Sequence, residues 1–328
     1  MSIRKICLVG PGAIGGMMAV HMLRAGYDVS TLARPAKAAE IRRKGLTLKD
    51  GGQTYVGQPK AASDPRELGP QDLVVVTVKA AGLPWAIEHL AALSTSTTPW
   101  VFVMNGVPWW FFDGFGGVLN GKALTTIDPD GSLPRAIPAP RVIWGVINCN
   151  VSIEPDGTLS HVHSNHLQLG RPDSLLSGLA DVGEVFRAAG YNTDVTAEIR
   201  QAIWSKLLVN MTFNPISVLT MATTNLMLGD PLVRELAIKA LDEGRAVGAA
   251  LGLAGGPTGA ERFAGAGSGG VRAKTSMLAD IERGRSLEIG PLVGAVVEIA
   301  DLVGVSVPFT KAIYGLIRLR TQTIAREG

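Results

Sequence analysis

A glycine-rich turn close to the start of the chain constrains the fold more than any other feature. Gly10, Gly12 and Gly15 have the spacing of a dinucleotide-binding loop. An apolar run at residues 3–9 predicts a buried strand before the turn, and residues 13–25 predict a helix after it. In this context the glycines permit a tight turn, a close approach to a pyrophosphate and helix-on-strand packing. The loop residues predicted to bind such a ligand are Gly10, Pro11, Gly12, Ala13, Ile14 and Gly15.

Strand and helix patterns alternate through the first half of the chain. Such alternation predicts a parallel, doubly wound sheet, and therefore a Rossmann-type α/β domain, over residues 1–195. Turn signals at 155–157 and 164–165 predict antiparallel strands over 142–170, and a last helix is predicted at 174–189. The other predicted elements are strands at 29–32, 72–79 and 100–104, helices at 35–44 and 85–93, and a hairpin over 45–56.

From about residue 197 the strand patterns end and helical patterns dominate. They predict an all-α domain over residues 196–328. The stretch 253–270 is rich in Gly and Ala and is predicted to be a mobile loop, because it has little side-chain surface to bury. The predicted helices of this domain cover 197–211, 216–222, 231–251, 271–283 and 287–303.

Composition argues against several classes of partner. The 328 residues suit two domains, and the net charge of +3 comes without the basic tract that nucleic-acid binding requires. Apolar runs are too short or too charged for a membrane span or a signal peptide, so we expect a cytoplasmic protein without a membrane partner. Cys7 and Cys149 lie in apolar runs, which predicts small buried side chains in a reducing compartment.

Three histidines lie close together in the second predicted antiparallel strand. His161 and His163 would point to the same side of it, with His166 nearby. A zinc site needs three or four converging ligands, and neither cysteines nor a carboxylate cluster accompany these histidines. We therefore predict polar hairpin positions and no metal site.

The end of the second predicted strand indicates which cofactor the loop binds. An acidic residue there would bind a ribose 2′-hydroxyl, whereas an arginine accommodates a 2′-phosphate. Arg34 follows this strand and Lys37 adds a second cation, while Asp28 lies at the opposite end. The sequence therefore predicts NADP(H) rather than NAD(H).

Several short motifs follow one another in a fixed order along the chain, and together they resemble the ketopantoate reductases (2-dehydropantoate 2-reductases). The resemblance covers nearly the whole sequence. It implies NADPH-dependent reduction of a small 2-keto acid, with 2-dehydropantoate, an intermediate of pantothenate biosynthesis, as the leading substrate. The motifs are the loop at 10–16, Val78-Lys79-Ala80, Asn105-Gly106-Val107, the run 204–210, Asn214-Pro215, the run 276–280 and Glu288-Ile289.

Lys206, Asn210 and Asn214 recur at every fourth residue and would share one face of a continuous helix. An ammonium group beside a ketone that accepts a hydride can stabilise the developing negative charge and deliver the proton. The resemblance implies that Lys206 is this general acid and that Asn210 and Asn214 orient the substrate. Pro215 predicts a disturbance of the helix next to Asn214.

The resemblance implies further site residues. Ser276 would bind the substrate carboxylate, and Glu288 would contact the substrate hydroxyl or Lys206. Lys79 and Asn105 follow two buried strands, where ligands of open parallel sheets bind, and the resemblance implies that Asn105 lies beside the nicotinamide and the substrate, with Lys79 close by. From the residues alone, Lys79 could equally be a solvated loop lysine.

Two departures from the family pattern leave the choice of substrate open. An aromatic run at 109–112 follows Asn105, and residues 121–140 look like an insertion. The aromatics favour either a related reductase of another branched or aromatic 2-keto acid, or simple burial of apolar area. The sequence is also compatible with a sugar or polyol dehydrogenase and with a non-catalytic NADP-binding sensor, although a sensor does not need Lys206, Asn210 and Glu288 together. Long apolar helices in the second half are compatible with a homodimer.

Overall fold

The computed structural model describes residues 3–264 and 273–327, including the side chains of all of these except His163 and residues 325–327. The chain forms two compact units. The first comprises residues 1–104, 113–121 and 132–199, and the second comprises 105–112, 122–131 and 200–328. Two short segments from the first half of the sequence, 105–112 and 122–131, therefore belong to the second unit.

The strands of the first unit form one mixed sheet. Ten strands are found in the described part of the chain. In chain order they are β1 Lys5–Val9, β2 Asp28–Leu32, β3 Leu46–Asp50, β4 Gln53–Gly57, β5 Lys60–Ala62, β6 Leu73–Val76, β7 Trp100–Phe102, β8 Val142–Ile153, β9 Leu159–Gly170 and β10 Asn192–Val195.

Six parallel strands run in the spatial order β5-β2-β1-β6-β7-β8. Numbered among themselves along the chain, these strands have the order 3-2-1-4-5-6 of a doubly wound nucleotide-binding fold. The predicted Rossmann-type α/β architecture is therefore confirmed. The strand order reverses between β1 and β6, and ligands of such folds bind outside the carboxyl ends of the strands at this reversal.

The remaining strands extend the sheet. β8 pairs antiparallel with β9, which also pairs in parallel with β3 and β10. The turn predicted at 155–157 joins β8 to β9, but the turn predicted at 164–165 is wrong. Ser164 has a positive φ of 59° inside β9, where the register shifts opposite residues 148–151. A bulged residue can adopt this conformation without ending the strand because pairing with β8 resumes on both sides.

The helices are more numerous and differently bounded than the sequence predicts. In chain order they are α1 Ala13–Arg24, α2 Pro35–Lys44, α3 Leu83–Leu90, α4 Leu133–Ala136, α5 Leu179–Ala188, α6 Ile199–Thr220, α7 Thr224–Gly229, α8 Pro231–Ala250, α9 Gly259–Phe263, α10 Ser276–Ile281, α11 Ala295–Val303 and α12 Pro308–Glu327. A π-helical segment, Gly290–Gly294, directly precedes α11. The helices α4, α7 and α12 and the short strands β5 and β10 have no counterpart among the predicted elements.

Several predicted helix boundaries are wrong for identifiable reasons. The helix predicted from residue 174 begins only at Leu179, because Asp173 accepts the Leu175 N–H in a local turn and Gly178 has a φ of 75°. α6 continues through Pro215, where two separate helices were predicted. A proline inside a helix costs about 3 kcal/mol, and the fully or nearly fully buried side chains on both sides of it offset this cost.

The stretch 253–270 is not a loop throughout. Thr258 and Glu261 form a capping box that starts α9, with the Glu261 N–H donating to Thr258 Oγ1 at 3.2 Å and the Thr258 N–H donating to Glu261 Oε2 at 2.8 Å. This box makes a short helix stable where the glycine content predicted a loop. Residues 265–270 of the predicted loop lie outside the described residues, as do the first two residues of the helix predicted at 271–283.

Glycines decide how α6 packs against α8 in the second unit. The Trp204 indole N–H donates to the Gly244 carbonyl oxygen at 3.1 Å. A Cβ atom at Gly244 would lie 2.7 Å from Met211 Sδ, and one at Gly248 would collide with the Trp204 ring. These two glycines therefore let the helix that carries Lys206 pack closely on α8.

Candidate functional site

The glycine loop lies between β1 and α1, at the reversal of the strand order. Gly10 has a φ of 84°, and its N–H donates to the Leu32 carbonyl oxygen at 3.0 Å. A Cβ atom at Gly10 would lie 2.6 Å from Val78 Cγ1, and one at Gly15 would collide with Thr77 Oγ1. These two positions accept only glycine because the loop packs tightly against the end of β6.

Gly12 is different from the other two glycines of the loop. It is exposed, and the nearest atom to a Cβ placed there, the Gly10 carbonyl oxygen, would be 4.0 Å away. Packing within the protein therefore does not require glycine at this position, whereas close approach of a ligand does. Among the described residues, no side chain caps the N-terminus of α1 and no acid lies in its first turn, so its N–H groups suit a phosphate. The loop fits a dinucleotide.

The end of β6 holds this loop in place. The Thr77 hydroxyl donates to the Gly10 carbonyl oxygen at 2.8 Å, and the Thr77 N–H donates to the Val9 carbonyl oxygen at 2.9 Å. Lys79 follows two residues later and is half-buried. Thr77 is not among the residues predicted from the sequence, although a hydroxyl at the end of a strand beside a glycine loop is a usable signal.

Arg34 lies at the end of β2, as predicted, and directly precedes α2. Its side chain is exposed. Lys37 instead forms an ion pair with Glu40 at 2.9 Å, and Lys44 pairs with the same carboxylate at 2.7 Å. Hydrogen bonds from Lys44 and Lys37 lower the pKa of Glu40. Of the two predicted cations, Arg34 is therefore the better candidate for a 2′-phosphate.

α6 carries the three predicted polar residues of the second unit on one uninterrupted helix. Lys206 and Asn210 are half-buried, and Asn214 is only 4% exposed. The Asn214 Nδ2 group is buried without a hydrogen-bond partner among the described residues. Such a group costs free energy unless something binds it, which makes Asn214 a candidate for ligand contact.

A chain of hydroxyl groups joins α6 to the start of α10. Ser217 Oγ donates to the Asn214 carbonyl oxygen at 2.7 Å and therefore accepts from Thr275 Oγ1 at 2.6 Å. Thr275 Oγ1 in turn accepts the Leu278 N–H at 3.1 Å and caps α10. Ser276, the first residue of α10, is exposed. These hydrogen bonds fix the backbone at Ser276 relative to Asn214.

Glu288 and Asn105 lie on segments that contact each other. Glu288 is half-buried and precedes the π-helical segment, with its carbonyl oxygen accepting the Leu292 N–H at 3.3 Å. The Val107 N–H donates to the Pro291 carbonyl oxygen at 3.0 Å. Gly106 has a φ of 87°, and a Cβ there would lie 2.6 Å from the Pro291 carbonyl oxygen. The backbone beside Asn105 is thus held against the segment that follows Glu288.

The aromatic run packs into the interior of the second unit. Trp109, Trp110, Phe111 and Phe112 are between 0% and 6% exposed. The Phe111 ring lies 5.9 Å from the Trp204 ring, and Arg200 Nε donates to the Phe111 carbonyl oxygen at 2.8 Å. Burial of apolar area accounts for these residues.

His21 and His161 belong to a polar network in the first unit, whereas the side chain of His163 lies outside the described part of the chain. His161 Nδ1 lies 2.8 Å from Asp50 Oδ1, and His21 binds both Asp50 Oδ2 at 3.0 Å and the Tyr191 hydroxyl at 2.9 Å. His166 pairs separately with Asp194 at 2.8 Å. Metal-binding groups of three or more such side chains are not found among the described residues.

Burial raises the pKa of the Cys7 thiol to about 12.

Comparison with known proteins adds to this geometry. The model of the family described as ketopantoate reductase PanE/ApbA matches residues 6–109, and the model of its C-terminal part matches residues 198–321. A 2-dehydropantoate 2-reductase of Mesorhizobium japonicum is 39% identical over 317 residues, covering 96% of this chain and 97% of that protein. In the described residues, helices are too short or too polar to cross a membrane.

Solved structures show the same fold. A protein from Ralstonia solanacearum assigned as a ketopantoate reductase has a TM-score of 0.91 and 38% identity, with 99% of each chain covered. A D-mandelate dehydrogenase bound to NADH and anilino(oxo)acetate has a TM-score of 0.82 at 18% identity, with 98% of this chain and 99% of that chain covered.

Proposed function

The chain belongs to the ketopantoate reductase family and is an oxidoreductase acting on CH–OH groups, and we propose from this premise that it reduces 2-dehydropantoate to pantoate with NADPH. The observation that carries the proposal is the face of α6. There a lysine and two asparagines follow one another at every fourth residue, and the amide of Asn214 is buried without a partner among the described residues. A small polar substrate would supply the missing acceptor.

The second unit would bind and polarise the ketone. The Lys206 ammonium group donates a hydrogen bond to the carbonyl oxygen, stabilises the negative charge that develops there and delivers the proton. Asn210 and the Asn214 amide orient the substrate, and Ser276 binds its carboxylate. Glu288 accepts a hydrogen bond from the substrate hydroxyl or from Lys206, and Asn105 contacts the substrate from the neighbouring segment.

The first unit would hold the cofactor, which supplies the hydride when bound. The residues from Gly10 to Gly15 bind the pyrophosphate through backbone N–H groups at the start of α1. Arg34 binds the 2′-phosphate, since its guanidinium group matches phosphate geometry and Lys37 is already paired with Glu40. Lys79 follows β6 and is the last of the proposed cofactor-binding residues of this unit.

The proposed reaction agrees with the partners and the location that the sequence predicts. A step of pantothenate biosynthesis uses a small-molecule substrate and requires neither nucleic acid nor a membrane, and it suits a cytoplasmic protein. A homodimer stays a prediction, which light scattering on the purified protein checks.

Turnover measurements on Lys206 test the proposed function. NADPH oxidation is followed with 2-dehydropantoate and with a panel of other branched and aromatic 2-keto acids. Lys206→Ala should lower turnover by about 10²–10⁴-fold, the usual contribution of a general acid, and leave NADPH affinity unchanged. Lys239→Ala removes an exposed lysine of α8 and is the matched control, which should turn over normally.

Different outcomes would change the assignment. Normal turnover by Lys206→Ala removes the proposed general acid. Faster reduction of another 2-keto acid moves the substrate assignment to that compound. NADPH binding without oxidation in the presence of any 2-keto acid favours the sensor.

A further inference from the structure

Glu298 of α11 binds a pair of threonines that lies far away in sequence. Its Oε1 accepts the Thr125 N–H and the Thr125 hydroxyl, both at 2.8 Å. Its Oε2 accepts the Thr126 N–H at 2.9 Å and also the Thr126 hydroxyl. Burial raises the pKa of Glu298, but the hydrogen bonds from Thr126 and Thr125 outweigh it and the pKa lies below its ordinary value. A charged carboxylate thus holds both residues.

Thr126, which this contact holds, packs against both ends of the π-helical segment. A Cβ at Gly290 would lie 3.1 Å from the Thr126 carbonyl oxygen, and one at Gly294 would lie 2.6 Å from Thr126 Cγ2. Glycine at the two ends of the segment therefore allows the threonine to approach. π-Helical turns are rare and are found frequently at functional sites.

The π-helical segment is also where two site residues are held. It starts two residues after Glu288, and its Pro291 contacts Gly106 and Val107 next to Asn105. Thr126 and the backbone beside Asn105 therefore pack on the same five residues. A shift of this segment would move both Glu288 and Asn105.

We propose that Glu298 is a positioning residue of the substrate site. By binding Thr125 and Thr126 it fixes the π-helical segment, and through that segment it sets the placement of Glu288 and Asn105. The apparent insertion at 121–140 thus contributes a brace for the reacting groups. The inference rests on the proposed roles of Glu288 and Asn105 in the reduction.

The second unit contains a similar contact whose bonded residues include neither Thr125 nor Thr126 nor any residue of the π-helical segment. Glu243 of α8 accepts the Phe309 N–H at 2.9 Å, the Thr310 N–H at 2.7 Å and the Thr310 hydroxyl at 2.7 Å, at the start of α12. The chemistry resembles that of Glu298: a carboxylate accepts two neighbouring N–H groups, together with one threonine hydroxyl at Glu243 and two at Glu298. Glu243→Gln therefore controls for the loss of such a contact as a purely structural event.

The experiment compares Glu298→Gln with Glu243→Gln. Both variants should lose thermal stability to a similar extent. Only Glu298→Gln should lower kcat/KM for the 2-keto acid, by about tenfold or more, because small displacements of reacting groups are costly. NADPH affinity should be unchanged in both. Thr126→Val should reproduce the loss of kcat/KM in part. Thr126→Ser, which keeps the hydroxyl, should have a kcat/KM close to that of the wild type.

Hydrogen exchange separates this inference from the proposed function. Amide exchange over residues 286–294 should accelerate in Glu298→Gln and not in Glu243→Gln, whatever substrate the wild-type enzyme uses. If the wild type reduces no 2-keto acid, the proposed function fails while exchange still decides the positioning role. Unchanged exchange in this segment, or kinetics of Glu298→Gln equal to those of Glu243→Gln, overturns the positioning role.

Discussion

The candidate residues of the two units are assembled in opposite ways. In the first unit the glycine loop is a continuous stretch of sequence, and the neighbouring strand ends add Thr77, Lys79 and Arg34. In the second unit the candidate residues come from α6, the start of α10, the entry to the π-helical segment and a short segment of the first half of the chain. The first arrangement follows from local pattern, whereas the second depends on long-range contacts, and substitutions should therefore act differently in the two units.

The largest effect is expected from glycines of the loop. Gly15→Val would force its side chain into Thr77 Oγ1, so we expect lost stability of about 1–3 kcal/mol from overpacking and loss of NADPH binding. Gly12→Ala has room for its Cβ and should unfold like the wild type while binding NADPH much more weakly. Calorimetric unfolding and NADPH titration check both variants. Normal NADPH affinity in Gly12→Ala would contradict the role of this glycine.

The next largest effect is expected at Gly106 in the second unit. Gly106→Ala combines an unfavourable φ of 87° with a collision at Pro291, so kcat/KM for the 2-keto acid should fall by roughly 10–100-fold with NADPH affinity intact. Gly114→Ala has a similar positive φ of 65° but no atom within 4 Å of its Cβ, and it controls for backbone strain alone. Equal kinetics of the two variants would show that the Pro291 contact is irrelevant to the site.

A moderate effect is expected at Arg34. Arg34→Asp should shift the preference from NADPH towards NADH by about 10–100-fold, because a carboxylate repels the 2′-phosphate and binds a ribose 2′-hydroxyl. Arg43→Asp, an equal charge change at an exposed position of α2, should leave the preference unchanged. The ratio of kcat/KM for the two cofactors measures the shift. An unaltered ratio in Arg34→Asp would assign 2′-phosphate recognition elsewhere.

The smallest effect concerns the pH dependence of the first unit. Burial lowers the pKa of His21 from its ordinary 6.5, although its hydrogen bond to Asp50 opposes this change. The unfolded chain therefore binds the proton more readily, and the stabilisation is complete above pH 6.5 and is lost as the pH falls from there towards the lowered folded-state pKa. Asp50, whose pKa is also lowered, contributes stabilisation that is complete above its ordinary 3.8 and is lost only as the pH falls below that value.

Calorimetry at a series of pH values checks this prediction. The Tm of the wild type should fall between about pH 7 and pH 5 more steeply than that of His21→Gln, by a few degrees at most, since 1 kcal/mol corresponds to roughly 2–4 °C in a domain of this size. Parallel curves for the two proteins would exclude His21 as the titrating group.

Much of the first unit follows from local sequence. The apolar runs, the glycine spacing and the helical pattern at 35–44 predicted β1, α1, β2 and α2 within two residues of their observed bounds. Local pattern failed where a long-range contact overrides it. Ser164 bulges inside a strand because β8 continues alongside, and α6 passes Pro215 because both flanking turns are buried.

The candidate site shows the same division. The spacing of Lys206, Asn210 and Asn214 indicated a shared face, and the family resemblance supplied their roles. The bracing of Glu288 and Asn105 by Thr126 and Glu298 has no local signal, since the paired residues are more than 170 positions apart and any exposed threonine or helical glutamate would look alike.

By itself the sequence determined the strand, turn and helix that a dinucleotide needs, the Rossmann-type fold and the family, because these depend on the spacing of residues that are neighbours in the chain. Only the tertiary structure decided which unit the segments 105–112 and 122–131 join, that the helix continues past Pro215 and which carboxylate holds the π-helical segment. The physical reason is that such contacts join residues distant in sequence. Local secondary-structure propensity and hydrophobic periodicity therefore do not indicate the free energy that these contacts contribute.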